Sequence, residues 1–260
     1  MNLDELFSVS GKAAVVTGGS RGIGYMIAQG LVENGVRVYI TARKAEQCDE
    51  AAAELSKLGT CVSLPADLST GAEVKRFAAE IAAREPELHI LVNNAGATWG
   101  APIGEFPEDG FDKVLAINVK APYLLTEALL PQLRAAATAD DPARVIMIGS
   151  VDGIRVPATE NYPYAASKAG IHMLGRQLAH RLVRDNITVN NIAPGPFESK
   201  MMAFALSSEE GRDMVAKSVP RRRIGSPEDV AGTVIFLSSQ AGAYLTGVTI
   251  PVDGGISTHG

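Results

Sequence analysis

Short apolar runs alternate with helical patterns along the whole chain. That alternation predicts a parallel sheet covered by helices on both faces. Residues 12–17 are a run of Ala and Val that closes on Gly18-Gly19, which reads as a first buried strand. Ile23, Met26, Ile27, Gly30 and Leu31 then recur at helical spacing until Asn34-Gly35 stops the helix. Further strands are predicted at 36–41, 60–64, 88–92, 144–148, 187–192 and 248–250, and further helices at 45–58, 72–84, 111–136, 164–184 and 227–237. Seven strands and six helices in this order fit one α/β doubly wound sheet. No repeat, low-complexity block or linker interrupts residues 1–260, so the chain reads as a single domain. The rhythm breaks at 196–219, where Phe197, Met201, Met202, Phe204 and Leu206 stand among polar residues. Strand-to-helix loops are usually short. Long ones at the carboxyl ends of strands border the ligand crevice, so this segment reads as a mobile lid over an apolar substrate. The other reading is an amphipathic helix pair packed on the body or on a sister subunit.

Composition narrows the function classes. A chain of 260 residues can bury roughly three quarters of its unfolded surface. It therefore needs no metal or disulfide staple. Hydrophobic residues make up 46% and charged residues 20%, which excludes intrinsic disorder. A net charge of −5 gives no general attraction to nucleic acid or anionic lipid. Arg221-Arg222-Arg223 is a local exception and reads as a solvated turn. Cys48 and Cys61 form no CxxC pair, which suits a reducing compartment. No apolar run approaches the roughly 18 residues of a membrane helix, and the acidic start has no signal-peptide pattern. A cytoplasmic protein without a membrane or nucleic-acid partner is expected. None of the four His residues pairs with Cys or acid at metal-ligand spacing.

Thr17-Gly18-Gly19-Ser20-Arg21-Gly22-Ile23-Gly24 lies between a predicted strand and a predicted helix. Glycines let the backbone turn tightly and approach a pyrophosphate, and the free N–H groups of the helix start hold it. The strand before and the helix after supply the context that a lone glycine string lacks. An NAD-binding unit usually ends its second strand with an acid for the ribose 2′-hydroxyl. Here that region reads Tyr39-Ile40-Thr41-Ala42-Arg43-Lys44, with two cations and no acid. Arg21 stands inside the glycine turn. A guanidinium suits a 2′-phosphate through paired hydrogen bonds, so the expected cofactor is NADP(H). The same residues also spell Gly18-x-Ser20-x-Gly22, the pattern of a hydrolase nucleophile elbow, with Asp253 and His259 in the order a triad would need. Arg21 and the third glycine are unexplained by a hydrolase, and an elbow belongs deeper in the chain.

Tyr164 and Lys168 stand four residues apart at the start of a long helix, hence on one face. A free phenol titrates near 10. A neighbouring ammonium favours the phenolate, which would make Tyr164 a usable acid and base. Tyr162 has no such partner, because position 166 is Ala.

Taken together, the 17–24 turn, Asn93-Asn94-Ala95-Gly96, Asn118, Ser150, Tyr164-x-x-x-Lys168 and Pro194-Gly195 resemble the classical short-chain dehydrogenase/reductases over essentially the entire chain. The resemblance implies a Rossmann fold and a catalytic tetrad of Asn118, Ser150, Tyr164 and Lys168. It also implies a cofactor held by Gly18, Ser20, Arg21, Gly22, Ile23, Gly24 and Arg43, with Asp67 and Leu68 at the adenine. Asn94, Ala95 and Gly96, then Tyr164 and Lys168, then Pro194, Gly195 and Ser199 would line its remainder. On these residues the chemistry is carbonyl reduction. Ser150 would hydrogen-bond the substrate oxygen while Tyr164 supplies a proton, and Asn118 would anchor a relay water.

Two departures stand out against the family pattern. The interval from Ser150 to Tyr164 is one residue longer than the commonest spacing, and Ser199 replaces a usual Thr. Within the family, the glycine turn, residues 39–44, 26–30 and 94–100, and Val252-Asp253-Gly254-Gly255 are most similar to NADPH-dependent 3-oxoacyl-[acyl-carrier-protein] reductases, including the rhamnolipid-pathway type. The resemblance thus implies an acyl-thioester substrate, with Trp99 bordering the mouth. A carrier-protein substrate would need a basic docking patch, for which Arg134, Arg181 and Arg184 are candidates; their other reading is solvated helix charge. The resemblance further implies a homotetramer built on the last strand and long helices. Cyclic ketones, steroids and sugar ketones stay open as substrates, as does a non-catalytic NADPH-binding sensor.

Overall fold

The computed structural model describes residues 1–258, apart from the side chain of Phe204. Its seven strands form one parallel sheet in the order β3-β2-β1-β4-β5-β6-β7. They are β1 Ala13–Thr17, β2 Arg37–Thr41, β3 Cys61–Ser63, β4 Ile90–Asn93, β5 Ala143–Ile148, β6 Ile187–Pro194 and β7 Thr249–Val252. The chain first builds outward from β1 to β3, then returns to β4 on the other side of β1. That reversal between β1 and β4 opens a crevice at the carboxyl ends of the strands, where a doubly wound sheet binds its ligand.

Helices cover both faces: α1 Leu3–Leu6, α2 Gly22–Glu33, α3 Ala45–Leu55, α4 Gly71–Arg84, α5 Glu108–Leu115, α6 Ala121–Ala128, α7 Leu130–Ala136, α8 Tyr162–Leu182, α9 Ala203–Leu206, α10 Glu209–Ser218 and α11 Pro227–Ser238. Every residue of β1 is buried, yet its side chains still alternate between two cores. Ala14 and Val16 join Ile27, Leu31, Val234 and Leu237 under α2 and α11. Val15 joins Phe77, Ile81, Leu125 and Ile171 under α4, α6 and α8. This is the pattern of a strand buried on both faces, whose sequence reads as a continuous apolar run.

Arg144, only 1% exposed, ties the two layers at the amino ends of the strands. Its guanidinium donates to the carbonyls of Leu237 and Ser239 at 3.0 Å each and to Asp141 at 3.1 Å. A cation there satisfies the unpaired carbonyls at the end of α11 and complements its dipole. At the other end, α11 starts with a capping box of Ser226 and Asp229 and with Pro227 in its first turn.

Several predicted elements differ in extent from the structure. The helical stretch 111–136 is three α-helices, broken by a π-turn over Ala116–Lys120 and again before α7. Pro122 and Pro131 lie in the first turns of α6 and α7, where a missing N–H is tolerated. The helix predicted at 45–58 ends at Leu55, and the one at 164–184 begins two residues earlier, with Pro163 in its first turn. Residues 196–219 hold a 3₁₀ turn, Lys200–Met202, followed by α9 and α10. Phe197 turns inward and is buried, bridging to Gly225. No residue of α10 is buried. The side chain of Phe204, expected in the lid, is outside the described residues.

Candidate active site

The glycine turn forms because three backbone demands meet there. Gly18 and Gly22 adopt φ of +67° and +54°, the left-handed region that other residues rarely enter. A Cβ at Gly24 would overlap Gly18 O and Asn94 Nδ2, so α2 can approach β4 only through a bare glycine. Thr17 fastens the turn to the end of β4. Its hydroxyl donates to Val92 O at 3.3 Å and accepts from the backbone N–H groups of Asn94 and Ala95 at 2.9 Å each. The Asn94 side chain donates in turn to Thr17 O at 2.8 Å. Asn94 therefore shapes the cradle through its side-chain amide, while its backbone N–H and that of Ala95 are held by Thr17.

Arg21, the residue preceding α2, makes no side-chain cap, so the first N–H groups of the helix are left for a ligand. Ser20 and Ile23 are half-buried around it, and Arg21 and Arg43 are both exposed. Ser20, Arg21, Tyr25, Gln47, Glu50 and Glu54 line an open cavity of about 330 Å³ beside the turn. Asp67 accepts from Ser69 N at 3.1 Å in the loop after β3, and Leu68 is buried in the core beside it. On the far side, Gly195 follows β6 and pairs with Val252 O. Ser199 comes back over the glycine turn, with its Cβ 3.2 Å from where a Gly22 Cβ would stand. A Gly-lined turn, a free helix start, two exposed guanidinium groups and a loop closing from β6 fit a phosphorylated dinucleotide.

The remaining polar side chains converge on the first turns of α8. The π-turn places Asn118 so that Oδ1 accepts from Ala97 N at 2.8 Å, while Nδ2 donates to Ala97 O and to Ser167 Oγ at 2.9 Å each. Ser167 donates to Tyr164 O at 2.7 Å, which links the π-turn to the helix turn bearing Tyr164. Neither Thr17 nor Ser167 has a role legible in the sequence. The available signal was a hydroxyl at a position the hydrophobic pattern assigns to the core. Lys168 is buried and donates to Ile148 O at 2.8 Å, with Nζ 5.5 Å from the centre of the Tyr164 ring. A Cβ at Gly96 would stand 3.2 Å from Asn118 Oδ1 and 3.8 Å from Lys168 Nζ. Asn118, Ser150, Tyr164 and Lys168 thus share one end of the crevice, beside Ala95 and Gly96.

The electrostatics correct one expectation. The ammonium does not lower the phenol in this environment. Burial pushes Tyr164 up to about 12, against a smaller downward pull from the neighbouring Ser150. Burial also brings Lys168 down to about 8. The cause is desolvation, which disfavours both charged forms, and the ammonium donates to the Ile148 carbonyl. At neutral pH the site holds a protonated phenol beside a charged lysine. That is the state of a general acid.

Other expected residues are placed elsewhere. Asp253 accepts from Gly255 N and Ser257 N at 2.8 Å each, so its carboxylate is committed to the last turn. His259 lies outside the described residues. With its acid engaged, the hydrolase reading on Ser20 loses its support. Tyr162 is exposed and donates to Glu160 at 3.2 Å, with its ring edge against Phe106. Trp99 packs over Gly110, with Lys113 Nζ 5.6 Å from its ring centre. Arg134 pairs with Asp185 at 2.8 Å. Arg181 is seventeen residues beyond Tyr164 on α8, roughly 25 Å away at 1.5 Å per residue. Arg181 and Arg184 therefore lie toward the end of α8 away from Tyr164.

Residues 18–257 match a family model described as enoyl-(acyl carrier protein) reductase. The rhamnolipids biosynthesis 3-oxoacyl-[acyl-carrier-protein] reductase of Pseudomonas aeruginosa is 48% identical, over 96% of this chain and 97% of that protein. The 5-keto-D-gluconate 5-reductase of Escherichia coli is 32% identical over 98% of each. Among solved structures, the Pseudomonas aeruginosa RhlG/NADP active-site complex superposes with a TM-score of 0.95 at 47% identity, covering 99% of this chain and 100% of that one.

Proposed function

This chain belongs to the short-chain dehydrogenase/reductase family, and on that premise we propose that it is an NADPH-dependent reductase that converts the ketone of a 3-oxoacyl thioester to a secondary alcohol. The observation that carries the reading is the convergence of Ser150 and Tyr164 on the buried Lys168, whose Nζ lies 5.5 Å from the centre of the Tyr164 ring, at the mouth of a dinucleotide cradle. Bound reduced nicotinamide supplies the hydride. The backbone of Gly18, Ser20, Gly22, Ile23 and Gly24 would hold the pyrophosphate, and Arg21 and Arg43 the 2′-phosphate. Asp67 and Leu68 would border the adenine, and Asn94, Ala95 and Gly96 the adjoining stretch. Lys168 and Tyr164 would hold the nicotinamide ribose, and Pro194, Gly195 and Ser199 the carboxamide.

Charge develops on the ketone oxygen as the carbonyl is reduced. Ser150 stabilises it by hydrogen bonding, and Tyr164 delivers the proton. Asn118, fixed on three hydrogen bonds in the π-turn, keeps a path for reprotonation open beside Lys168. A mere binder has no use for this constellation, which argues against a sensor.

The acyl substrate is supported by the rim of the crevice. Ile103, Ile154, Val156, Met201 and Met214 are all exposed, Val156 at 91% and Ile103 at 81%. They lie in the segments following β4, β5 and β6, the neighbouring strands whose carboxyl ends bear the site. Such a collar suits an alkyl chain better than a sugar. NADPH oxidation across 3-oxoacyl thioesters of rising length, cyclic ketones and ketoses tests this. Efficiency is expected to rise with chain length; turnover of ketoses alone overturns the acyl assignment.

We also read the chain as one domain, with residues 196–219 over the site. An acyl carrier protein is the natural bearer of such a thioester. It would have to dock at the apolar mouth. A homotetramer is supported by an unshielded sheet edge at β7 beside the fully exposed Tyr244. A groove of about 440 Å³ lined by Tyr123, Leu130, Leu174 and Leu178 adds a second face. Elution at monomer mass overturns it. No helix among the described residues is long and apolar enough to cross a membrane, and we place the enzyme in the cytoplasm.

A further inference from the structure

Residues 253–258, which follow β7, serve neither the cofactor cradle nor the proton transfer, yet they touch the segments after β5 and β6 that border the site. The chain leaves β7 pressed against Gly195, where a Cβ would stand 2.8 Å from Asp253 Cα. Gly254 and Gly255 then turn it with φ of +63° and +91°, values that other residues rarely adopt. The Asp253 carboxylate closes this turn on Gly255 N and Ser257 N. A Cβ at Gly254 would stand 2.6 Å from Val219 Cγ1 and 3.2 Å from Arg221 Cβ, and Arg221 N donates to Gly254 O at 3.1 Å. The turn thereby delivers Ile256, which opens the 3₁₀ turn Ile256–Thr258, onto Val219 and Val151. These buried side chains form a small apolar cluster separate from the two cores that flank the sheet.

Each partner of Ile256 is tied to the site. Val151 directly follows Ser150 and opens the 3₁₀ turn Val151–Gly153. That turn sets the serine: Ser150 Oγ accepts from Asp152 N at 3.1 Å, and Ser150 O accepts from Gly153 N at 3.0 Å. With an acceptor site so engaged, the hydroxyl keeps its proton to donate to a substrate oxygen. Val219 caps α10 and closes the segment 196–219. The other end of that segment is held by Phe197, buried against Gly225, and by Gly225 N donating to Pro196 O at 2.9 Å. No residue of α10 is buried, so its position rests on its ends and on the exposed pair of Arg212 with Glu198 at 2.6 Å.

We propose that Ile256 is a positioning residue that holds the turn of Ser150 and the far hinge of residues 196–219 in one fixed relation. This deepens the reductase reading and rests on it for its kinetic half. An apolar side chain shared by two loops couples them, because neither can shift without opening a void against the other. Ser150 is thus aimed at the ketone while the segment bearing Met201 and Met214 stands over the acyl chain.

The experiment compares the wild type, Ile256→Ala and Ile256→Val in NADPH oxidation with a short and a long 3-oxoacyl thioester. In Ile256→Ala, kcat is expected to fall about tenfold with both substrates, as Ser150 loses its fixed aim. KM is expected to rise about fivefold for the long chain and to stay within about twofold for the short one, since only the long chain reaches the lid. Ile256→Val fills most of the space and is expected to restore both constants to within about twofold. A merely structural plug would lower the unfolding temperature and leave the kinetics of the folded protein in place. A second measurement needs no turnover: trypsin cleavage of the cofactor-free protein after the exposed Arg212 and Lys217, read by mass spectrometry, reports opening of the segment. Cleavage is expected to quicken about tenfold in Ile256→Ala and to stay at the wild-type rate in Ile256→Val. Should the alanine variant not fold, Ile256→Thr, which keeps the branched shape, is held to the same outcomes. Wild-type kinetics or wild-type cleavage in the folded variant overturns the proposal. Faster cleavage in Ile256→Ala, beside a wild type that reduces no 3-oxoacyl thioester, overturns the reductase reading and leaves the hinge contact standing.

Discussion

Tyr164→Phe is expected to lower kcat for ketone reduction by about a thousandfold while NADPH affinity stays within about twofold, because it removes the general acid and little else. Phe fills the same half-buried place on α8 and loses only the hydroxyl. The backbone link from Ser167 to Tyr164 O is untouched, so the helix start and its contact with Asn118 persist. Steady-state NADPH oxidation and fluorescence titration of NADPH check the two halves separately. Unchanged turnover removes Tyr164 from the mechanism. Wild-type protein that binds NADPH yet reduces no ketone favours the sensor.

The second large effect is on cofactor choice. Arg21→Ala together with Arg43→Ala is expected to lower kcat/KM with NADPH by about a hundredfold and to leave NADH nearly unaffected. Two charge-assisted contacts at roughly 1.5 kcal/mol each account for that size, after allowance for their exposure. Arg21 stands at the start of α2 and Arg43 just beyond the end of β2, so both border the cradle from which a 2′-phosphate would project. The measurement is the ratio of the two efficiencies in wild type and variant. Equal efficiency with NADH in the wild type contradicts the assignment.

Much of this molecule is legible in its sequence because the relevant physics is local. Apolar runs of five or six residues bounded by glycine specify buried parallel strands, and the glycine turn, Tyr164 and Lys168 each sit within one supersecondary unit. What escaped detection depends on distant partners. The π-turn at Asn118 keeps the apolar periodicity of residues 111–136 nearly intact, so only the loop at Ala97 and the hydroxyl of Ser167 reveal why the helix widens there. Arg144 looks like the start of an exposed strand until the carbonyls of Leu237 and Ser239 are brought over it. The direction of the Tyr164 shift is the clearest case. Spacing on a helix places an ammonium near a phenol, but only the packed site shows how strongly burial pushes that phenol up. Likewise the distance along α8 between Tyr164 and Arg181 is a property of the folded helix that the sign of the charge does not reveal.

The family description names enoyl reduction and the 48% identical relative names 3-oxoacyl reduction, so the bond that is reduced is the point to test. The direct measurement is product analysis after turnover of a 3-oxoacyl thioester with NADPH deuterated at the transferring C4 position. Deuterium on the carbon that bears the new hydroxyl group is the expected result. A 3-hydroxy product without deuterium at that carbon, or turnover confined to an enoyl thioester that gives a saturated deuterated chain, contradicts carbonyl reduction at Ser150 and Tyr164.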